Sequence, residues 1–171
     1  YTESRAFNAA IEQAQIAVRL DPANAAGYYA LGLAQSGDGK SKEAIENLTK
    51  AATTKGQLAG FYADVWAALA ASHDRGGDTV EAISDMDKAL DSAPENSEYL
   101  YQRGSFYEKE SKWADALYDY YQATSYVPDH PASLDGIKRI TKSHPEAVAE
   151  MEKMFQVDAK GSDVVTSTPA K

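Results

Sequence analysis

Residues 63–96, ADVWAALAASHDRGGDTVEAISDMDKALDSAPEN, contain a pattern that recurs along the chain. Within this stretch Ala82 is followed seven residues later by a second alanine, Ala89. Equivalent alanine pairs are Ala10 and Ala17, Ala44 and Ala51, and Ala116 and Ala123. Small residues at fixed places in a period of about 34 allow neighbouring helices to pack closely. We therefore predict a stack of helical hairpins.

The residues around these alanines resemble the tetratricopeptide repeat. In the quoted stretch the family's signature positions hold Trp66, Leu69, Ala70, Ala82, Met86, Ala89 and Pro94. The copy upstream has Tyr28, Leu31, Gly32, Ala44, Leu48 and Ala51, and the copy downstream has Leu100, Gly104, Tyr107, Ala116, Tyr120, Ala123 and Pro128. A fourth copy at the start is cut short, with Tyr1 on the last turn of its first helix.

The resemblance implies an all-α fold, a right-handed α-solenoid of antiparallel helix pairs with C-terminal capping helices. With 171 residues, one elongated domain is expected over residues 1–156. Its predicted parts are a partial repeat at 1–24, repeats at 25–62, 63–96 and 97–130, a capping helix pair at 131–156, and a flexible tail or linker at 157–171.

One interval of the repeat is longer than the others. The interval from Ala44 to Ala82 has four extra residues, which fall between Thr53 and Ala63. Four residues are about one α-helical turn, so we expect Leu58, Phe61 and Tyr62 to lengthen the helix that carries the repeat's tryptophan. Four further departures from the family pattern are Gln35 at an aromatic site, His73 at a tyrosine site, Arg103 at a leucine site and Gly56 in place of the closing proline.

Apolar residues at helical spacing mark both ends of the array. The incomplete first repeat leaves one helix face in need of cover by a partner or a second copy, formed by Phe7, Ile11, Ile16 and Val18. In the two capping helices the residues expected to face inward are Leu134, Ile137, Ile140, Val148, Met151 and Phe155. Self-association through the first repeat is therefore open.

The composition restricts the classes of partner. The net charge is −9, and one segment opposes a single lysine, Lys88, with the acids Asp78, Glu81, Asp85, Asp87, Asp91, Glu95 and Glu98. Such an acidic ridge repels phosphates and anionic lipids, so we expect no nucleic-acid partner. No apolar run reaches the length of about 18 residues that indicates a membrane-spanning helix, which predicts a soluble protein without membrane insertion. The absence of cysteine leaves cytoplasm and periplasm both open.

The histidines give no sign of catalysis. His73 falls at a packing position of a helix, while His130 and His144 each precede a proline in a turn. No pair of them has a metal-binding helical spacing, and no glycine-rich phosphate loop follows a strand. We predict that the chain is not an enzyme and has no catalytic residue, metal site or cofactor.

The resemblance places ligand binding in a concave groove lined by the first helix of each repeat. The groove residues are predicted to be Tyr29, Ala30, Leu33, Asp64, Ala67, Ala68, Ala71, Glu98, Tyr101, Gln102 and Ser105. Alanines allow close approach of another backbone, and tyrosines offer a large contact area. The chaperone-docking clamp of lysine, asparagine and arginine is absent, because its sites hold Tyr29, Leu33, Ala68, Glu98 and Gln102. The asparagine ladder of sugar-transferase relatives is also absent, since its sites hold Ala30, Ala68, Gln102 and Gly136.

Three functional hypotheses follow from the sequence. The first is a non-catalytic adaptor or scaffold that binds a peptide or helix of a partner protein in the groove. The alternative is a structural subunit of a larger complex or self-assembly, packed through its N-terminal helix and its convex acidic face. The third is a regulatory portion of a larger enzyme. The resemblance does not choose a pathway or partner, because one scaffold serves many functions.

Overall fold

A computed structural model of the chain describes residues 2–54 and 61–161, with side chains for 6–54 and 61–154. These residues form helices and no strand. The helices are α1 (Thr2–Leu20), α2 (Ala25–Gly37), α3 (Ser41–Thr53), α4 (Tyr62–Gly76), α5 (Thr79–Ser92), α6 (Ser97–Lys109), α7 (Trp113–Tyr126), α8 (Pro131–Ser143) and α9 (Glu146–Gly161). The prediction of an all-α fold built from helix pairs is confirmed.

The helices belong to two compact units, residues 1–93 and 94–171. In the first unit each helix packs on the next one, from α1 to α5, and α2 also contacts α4. In the second unit α6 packs on α7, and α7 contacts both α8 and α9. The extension of these pairs into one continuous domain stays a prediction.

Local sequence signals begin and end these helices. Asn24 and Asn96 cap α2 and α6 through their side-chain oxygens, and Asp78 caps α5 by accepting from the Glu81 N–H at 3.2 Å. The turns between α2 and α3, between α4 and α5, and between α6 and α7 each contain one residue with a left-handed backbone conformation. These residues are Gly39 (φ 78°), Gly77 (φ 90°) and Ser111 (φ 58°). Serine adopts this conformation less readily than glycine, so the third turn is the strained one.

The repeated alanines form the centre of each helix pair. Six of them have no exposed surface: Ala44, Ala51, Ala82, Ala89, Ala116 and Ala123. The large residues one turn after the first alanine of each pair are also fully buried: Leu48, Met86 and Tyr120. The small residues therefore let the helices approach, and the large ones fill the space between them.

Helix α1 differs from the predicted first repeat. The prediction puts the end of one helix at Tyr1, which lies outside the described residues, and a second helix further along. Instead, α1 runs without a break from Thr2 to Leu20. Residues 2–6 contain no glycine or proline, whereas the turns at Gly39 and Gly77 contain glycine, so nothing in this segment interrupts the helix.

The predicted lengthening of α4 is wrong. The helix begins at Tyr62, with Phe61 before it, and Leu58 lies outside the described residues. Phe61 offers no side-chain cap, and its φ of −126° is not helical. A helix extended upstream from Tyr62 would have to pass through Gly60 and Gly56, and glycine in a helix interior costs about 1 kcal/mol relative to alanine.

The C-terminal helices also depart from the prediction in two places. Helix α9 continues to Gly161, beyond the predicted end at 156. Leu134, predicted to face inward, is 47% exposed, whereas Ile140 and Met151 are buried as predicted. The reason is that α9 packs mainly on α7 and hardly on α8, which leaves the Leu134 side of α8 open. The side chain of Phe155 and the end of the predicted tail, 162–171, lie outside the described residues.

The Tyr120 ring illustrates how closely the second unit is packed. A Cβ atom added at Gly104 would lie 2.6 Å from this ring, and one added at Gly136 would lie closer still. The Tyr120 hydroxyl donates to Glu108 at 2.5 Å, and Arg139 donates to the same carboxylate oxygen at 2.6 Å. The ring is thus held between two glycines and anchored at its polar end.

We expect Gly104→Ala and Gly136→Ala each to lower the free energy of unfolding by about 1–3 kcal/mol, because the added methyl group overlaps the Tyr120 ring. Urea unfolding followed by circular dichroism measures this. Gly76→Ala is the control, since its Cβ would meet only Ser41 at 3.9 Å and alanine favours the helix. Equal effects at all three positions would contradict the packing argument.

Candidate functional site

In the first unit, the predicted groove residues of α2 and α4 lie on adjacent helices. On α2, Ala30 and Leu33 are exposed and Tyr29 is half-buried, and Leu33 keeps 42% of its surface open. On α4, Ala68 and Ala71 are half-buried. The two helices therefore present a shallow apolar surface in which small side chains are flanked by one leucine and one tyrosine.

Two of the predicted residues of α4 behave differently. Ala67 is only 8% exposed and packs into the core, so it offers little surface to a ligand. Asp64 is exposed and lies near Tyr29. The pKa of Tyr29 is raised, first by burial and second by the negative charge of Asp64, so the phenol stays protonated and able to donate. We call the surface formed by Tyr29, Ala30, Leu33, Asp64, Ala68 and Ala71 the α2/α4 face.

In the second unit, the predicted residues of α6 are engaged with their own unit. The ring of Tyr101 lies against Tyr120 at 5.7 Å and against His130 at 5.6 Å between centroids. Gln102 donates to Glu98 at 2.9 Å, and Nε2 of His130 lies 3.6 Å from the Glu98 carboxylate. Tyr101 is therefore a packing residue as well as a surface residue.

Ser105, the last predicted residue of α6, donates through its hydroxyl to the backbone oxygen of Gln102 at 2.7 Å. His130 caps α8, because its Nδ1 accepts from the N–H of Ser133 at 3.3 Å. The polar groups of this surface thus already satisfy one another, and the face of α6 is more polar than the α2/α4 face.

Three of the four departures from the family pattern have a polar partner on the second helix of their own pair, and the fourth, Gly56, lies outside the described residues. Gln35 accepts from Asn47 at 2.8 Å, and His73 is bonded to Asp85 at 2.8 Å. Arg103 donates to Asp119 through Nε at 2.8 Å and through Nη2 at 2.7 Å. Asn47, Asp85 and Asp119 all stand three residues after the first alanine of their pair.

The pairing of His73 changes the interpretation of the acidic ridge. Asp85 is buried and binds both His73 and Lys88, the latter at 2.9 Å, while the Lys88 ammonium lies 4.1 Å from the ring centre of Trp66. Asp85 is therefore part of the core. The remaining acids of this segment are all exposed: Asp78, Glu81, Asp87 and Asp91 in the first unit, and Glu95 and Glu98 in the second.

Sequence reasoning missed a polar chain at the end of the α2/α4 face. It joins Ser36 of α2 to Ser72 and Arg75 of α4. Arg75 follows Ala68 by seven residues, so helical spacing alone places it in line with the predicted groove residues. The buried serines that hold it belong to different repeats, and no local sequence pattern predicts that they are in contact.

Other classes of site find no support in the described residues. Among the described side chains, those of 6–54 and 61–154, no group of three histidine or acidic residues is arranged to hold a metal ion. None of the helices described is long and apolar enough to cross a membrane.

Comparisons with known proteins agree on the fold. Residues 67–126 match the tetratricopeptide repeat family. The crystal structure of MamA matches with a TM-score of 0.74 and 20% identity, covering 92% of this chain and 91% of that one. YrrB, described as a TPR protein with an unusual peptide-binding site, matches with a TM-score of 0.69 and 20% identity, over 86% and 75% of the two chains.

A tetratricopeptide repeat protein from Parabacteroides merdae ATCC 43184 matches with a TM-score of 0.70 and 25% identity, covering 92% of this chain and 61% of that chain. No curated protein matches. At these identities the likeness shows the fold alone and assigns no role to individual surface residues.

We expect Tyr101→Ala to lower the free energy of unfolding by about 2 kcal/mol, because Tyr101 packs between two rings. Leu33→Ala, at an exposed position of the other predicted groove helix, should change it by less than about 0.5 kcal/mol. Urea unfolding of both variants tests this difference. Unchanged stability of the tyrosine variant would show that Tyr101 is a free surface residue.

Proposed function

We propose that this chain, whose residues 67–126 match the tetratricopeptide repeat family, is a non-catalytic adaptor that binds a peptide or helix of a partner protein on the α2/α4 face. The observation that carries this proposal is the open apolar surface of α2 and α4. The exposed Leu33 stands one turn after Ala30 on α2, and Tyr29 of α2 packs against the same core cluster as Ala68 of α4. A partner gains free energy by covering this surface, because apolar area leaves water.

The shape and chemistry of this face favour a narrow ligand. Alanines keep the surface shallow, so a partner backbone can lie close to both helices. Tyr29 adds a large ring that loses little entropy on binding and a protonated hydroxyl for a backbone carbonyl. Among the similar structures, YrrB is described as having a peptide-binding site, which supports a peptide as the ligand class.

We expect a random 12-residue peptide library, displayed on a carrier, to yield ligands that bind the chain and lose affinity at least about tenfold with Ala68→Glu, because the new carboxylate would be buried under the peptide. Isothermal titration with the selected synthetic peptides measures the loss. Thr49→Glu is the matched control, since it adds the same charge on the exposed side of α3. Equal losses in both variants would refute binding on the α2/α4 face.

The second candidate function is a structural subunit that packs through α1. In the three complete pairs the equivalents of Ala10 are fully buried, whereas Ala10 itself is exposed. On the same helix Ile16 is 40% and Leu20 82% exposed, while Ile11 is buried against α2. Outside its contact with α2, α1 therefore exposes small and apolar side chains, which are the kind that pack against another helix.

Under this second candidate the chain self-associates at micromolar concentration, and Ala10→Glu restores the monomer by placing a charge in the contact. Sedimentation velocity over a concentration series measures the state of association. Asn8→Glu is the control, because residue 8 is exposed and lies about 160° around α1 from Ala10. A monomer at all concentrations would count against self-assembly through α1.

A further inference from the structure

The α4 residues of the α2/α4 face form, together with Arg75, one stripe along the helix, with an acid at one end and a base at the other. Asp64, Ala68, Ala71 and Arg75 are spaced by four, three and four residues, which places them along one side of the helix. The stripe is about 16 Å long, a length that about five residues of extended peptide cover. Arg75 stands at its C-terminal end and is exposed.

Arg75 is held in place by a directed chain of hydrogen bonds. The hydroxyl of Ser72 donates to the backbone oxygen of Ala68 at 2.8 Å, so it accepts from the hydroxyl of Ser36 at 3.0 Å. Nη1 of Arg75 in turn donates to the Ser36 hydroxyl, and it lies 3.3 Å from the Ser36 backbone oxygen. Both serines are buried, so the guanidinium has a fixed anchor.

This anchor uses only one edge of the guanidinium. Nε and Nη2, which form the other edge, have no partner among the described residues, and no carboxylate there pairs with Arg75. Asp38, the residue that follows α2, is engaged with Lys40 at 2.7 Å. In a chain of net charge −9, an arginine with a fixed position and an open edge is unusual.

Two other arginines of the same chain show what the open edge binds. Arg103 uses Nε and Nη2 to hold both oxygens of Asp119, at 2.8 and 2.7 Å. Arg139 uses the same two nitrogens on Glu108, at 3.3 and 2.6 Å. A planar carboxylate matches this edge with two parallel hydrogen bonds.

The geometry points to Arg75 as the residue that binds an acidic side chain of the bound peptide. The peptide lies along the stripe with its apolar residues on Ala68 and Ala71, and a glutamate or aspartate side chain pairs with the Nε and Nη2 edge. This inference rests on the proposed function of the α2/α4 face. It adds a sequence requirement to that function, namely an acid at a fixed distance from the apolar contact residues.

The test selects the same 12-residue library on the chain of residues 1–171 and on its Arg75→Gln variant. Every peptide is joined to the carrier at both ends, so carboxylates come only from side chains. We expect acidic residues at one position of the peptides selected on the unaltered chain. The variant should select the same apolar residues without the acid, and Arg19→Gln, an exposed arginine of α1, should leave the preference unchanged.

A selected synthetic peptide and its Glu→Gln analogue then complete a double-mutant cycle. Affinity should fall about tenfold for Arg75→Gln or for the peptide change alone, with no further loss when both are combined. Arg75→Lys should restore only part of the affinity, because an ammonium lacks the planar edge. Additive losses would overturn the direct pairing.

The outcomes separate this inference from the proposed function. Peptides that bind but are unaffected by Ala68→Glu would refute the α2/α4 face itself. A second outcome would refute the role of Arg75 alone. In it, Ala68→Glu abolishes peptide binding, but the selected peptides either carry no preferred acid or carry the same acid when they are selected on Arg75→Gln. Dependence on a free C-terminal carboxylate, tested with amidated peptides, would also overturn the side-chain pairing.

Discussion

Close approach of the two helices in each pair is the constraint on which the rest of this structure depends. Ala44, Ala82 and Ala116 have no exposed surface, and a Cβ atom at Gly32 would lie 2.6 Å from Leu48. A larger residue at any of these places would force the helices apart and open a gap in the layer beside it. Because α3 also packs on α4, and α7 on α8, the close contacts determine which side chains remain on the outside of each unit.

The same close contact accounts for the polar pairs inside the helix pairs. A glutamine, a histidine and an arginine replace apolar signature residues, and each would carry an unpaired polar group into a tight interface. Asn47, Asp85 and Asp119 supply the missing partner from one equivalent position of the second helix. The departures are therefore compensated within the pair, and the buried charges are satisfied without a ligand.

The sequence was sufficient for the fold because its main signal is a spacing. Alanines that recur at a nearly constant interval predict helix pairs regardless of what surrounds them. The exposure of Leu134 depends on contacts between helices and the start of α4 depends on local residues, and a period expresses neither. The candidate site divides in the same way. Helical spacing predicted that Leu33 and Ala68 share one surface, but the stacking of Tyr101 and the anchoring of Arg75 depend on side chains from other helices.

Apolar contact and charge have different roles on the α2/α4 face. Leu33 and the alanines can cover any apolar segment, since the hydrophobic effect has no direction and tolerates a shift along the stripe. A fixed charge at one end removes that freedom, because a peptide displaced by one residue leaves its carboxylate without the guanidinium edge. In the proposed peptide complex, affinity comes from the apolar middle of the face, whereas register and choice of partner come from Arg75 and from the serines that hold it in place.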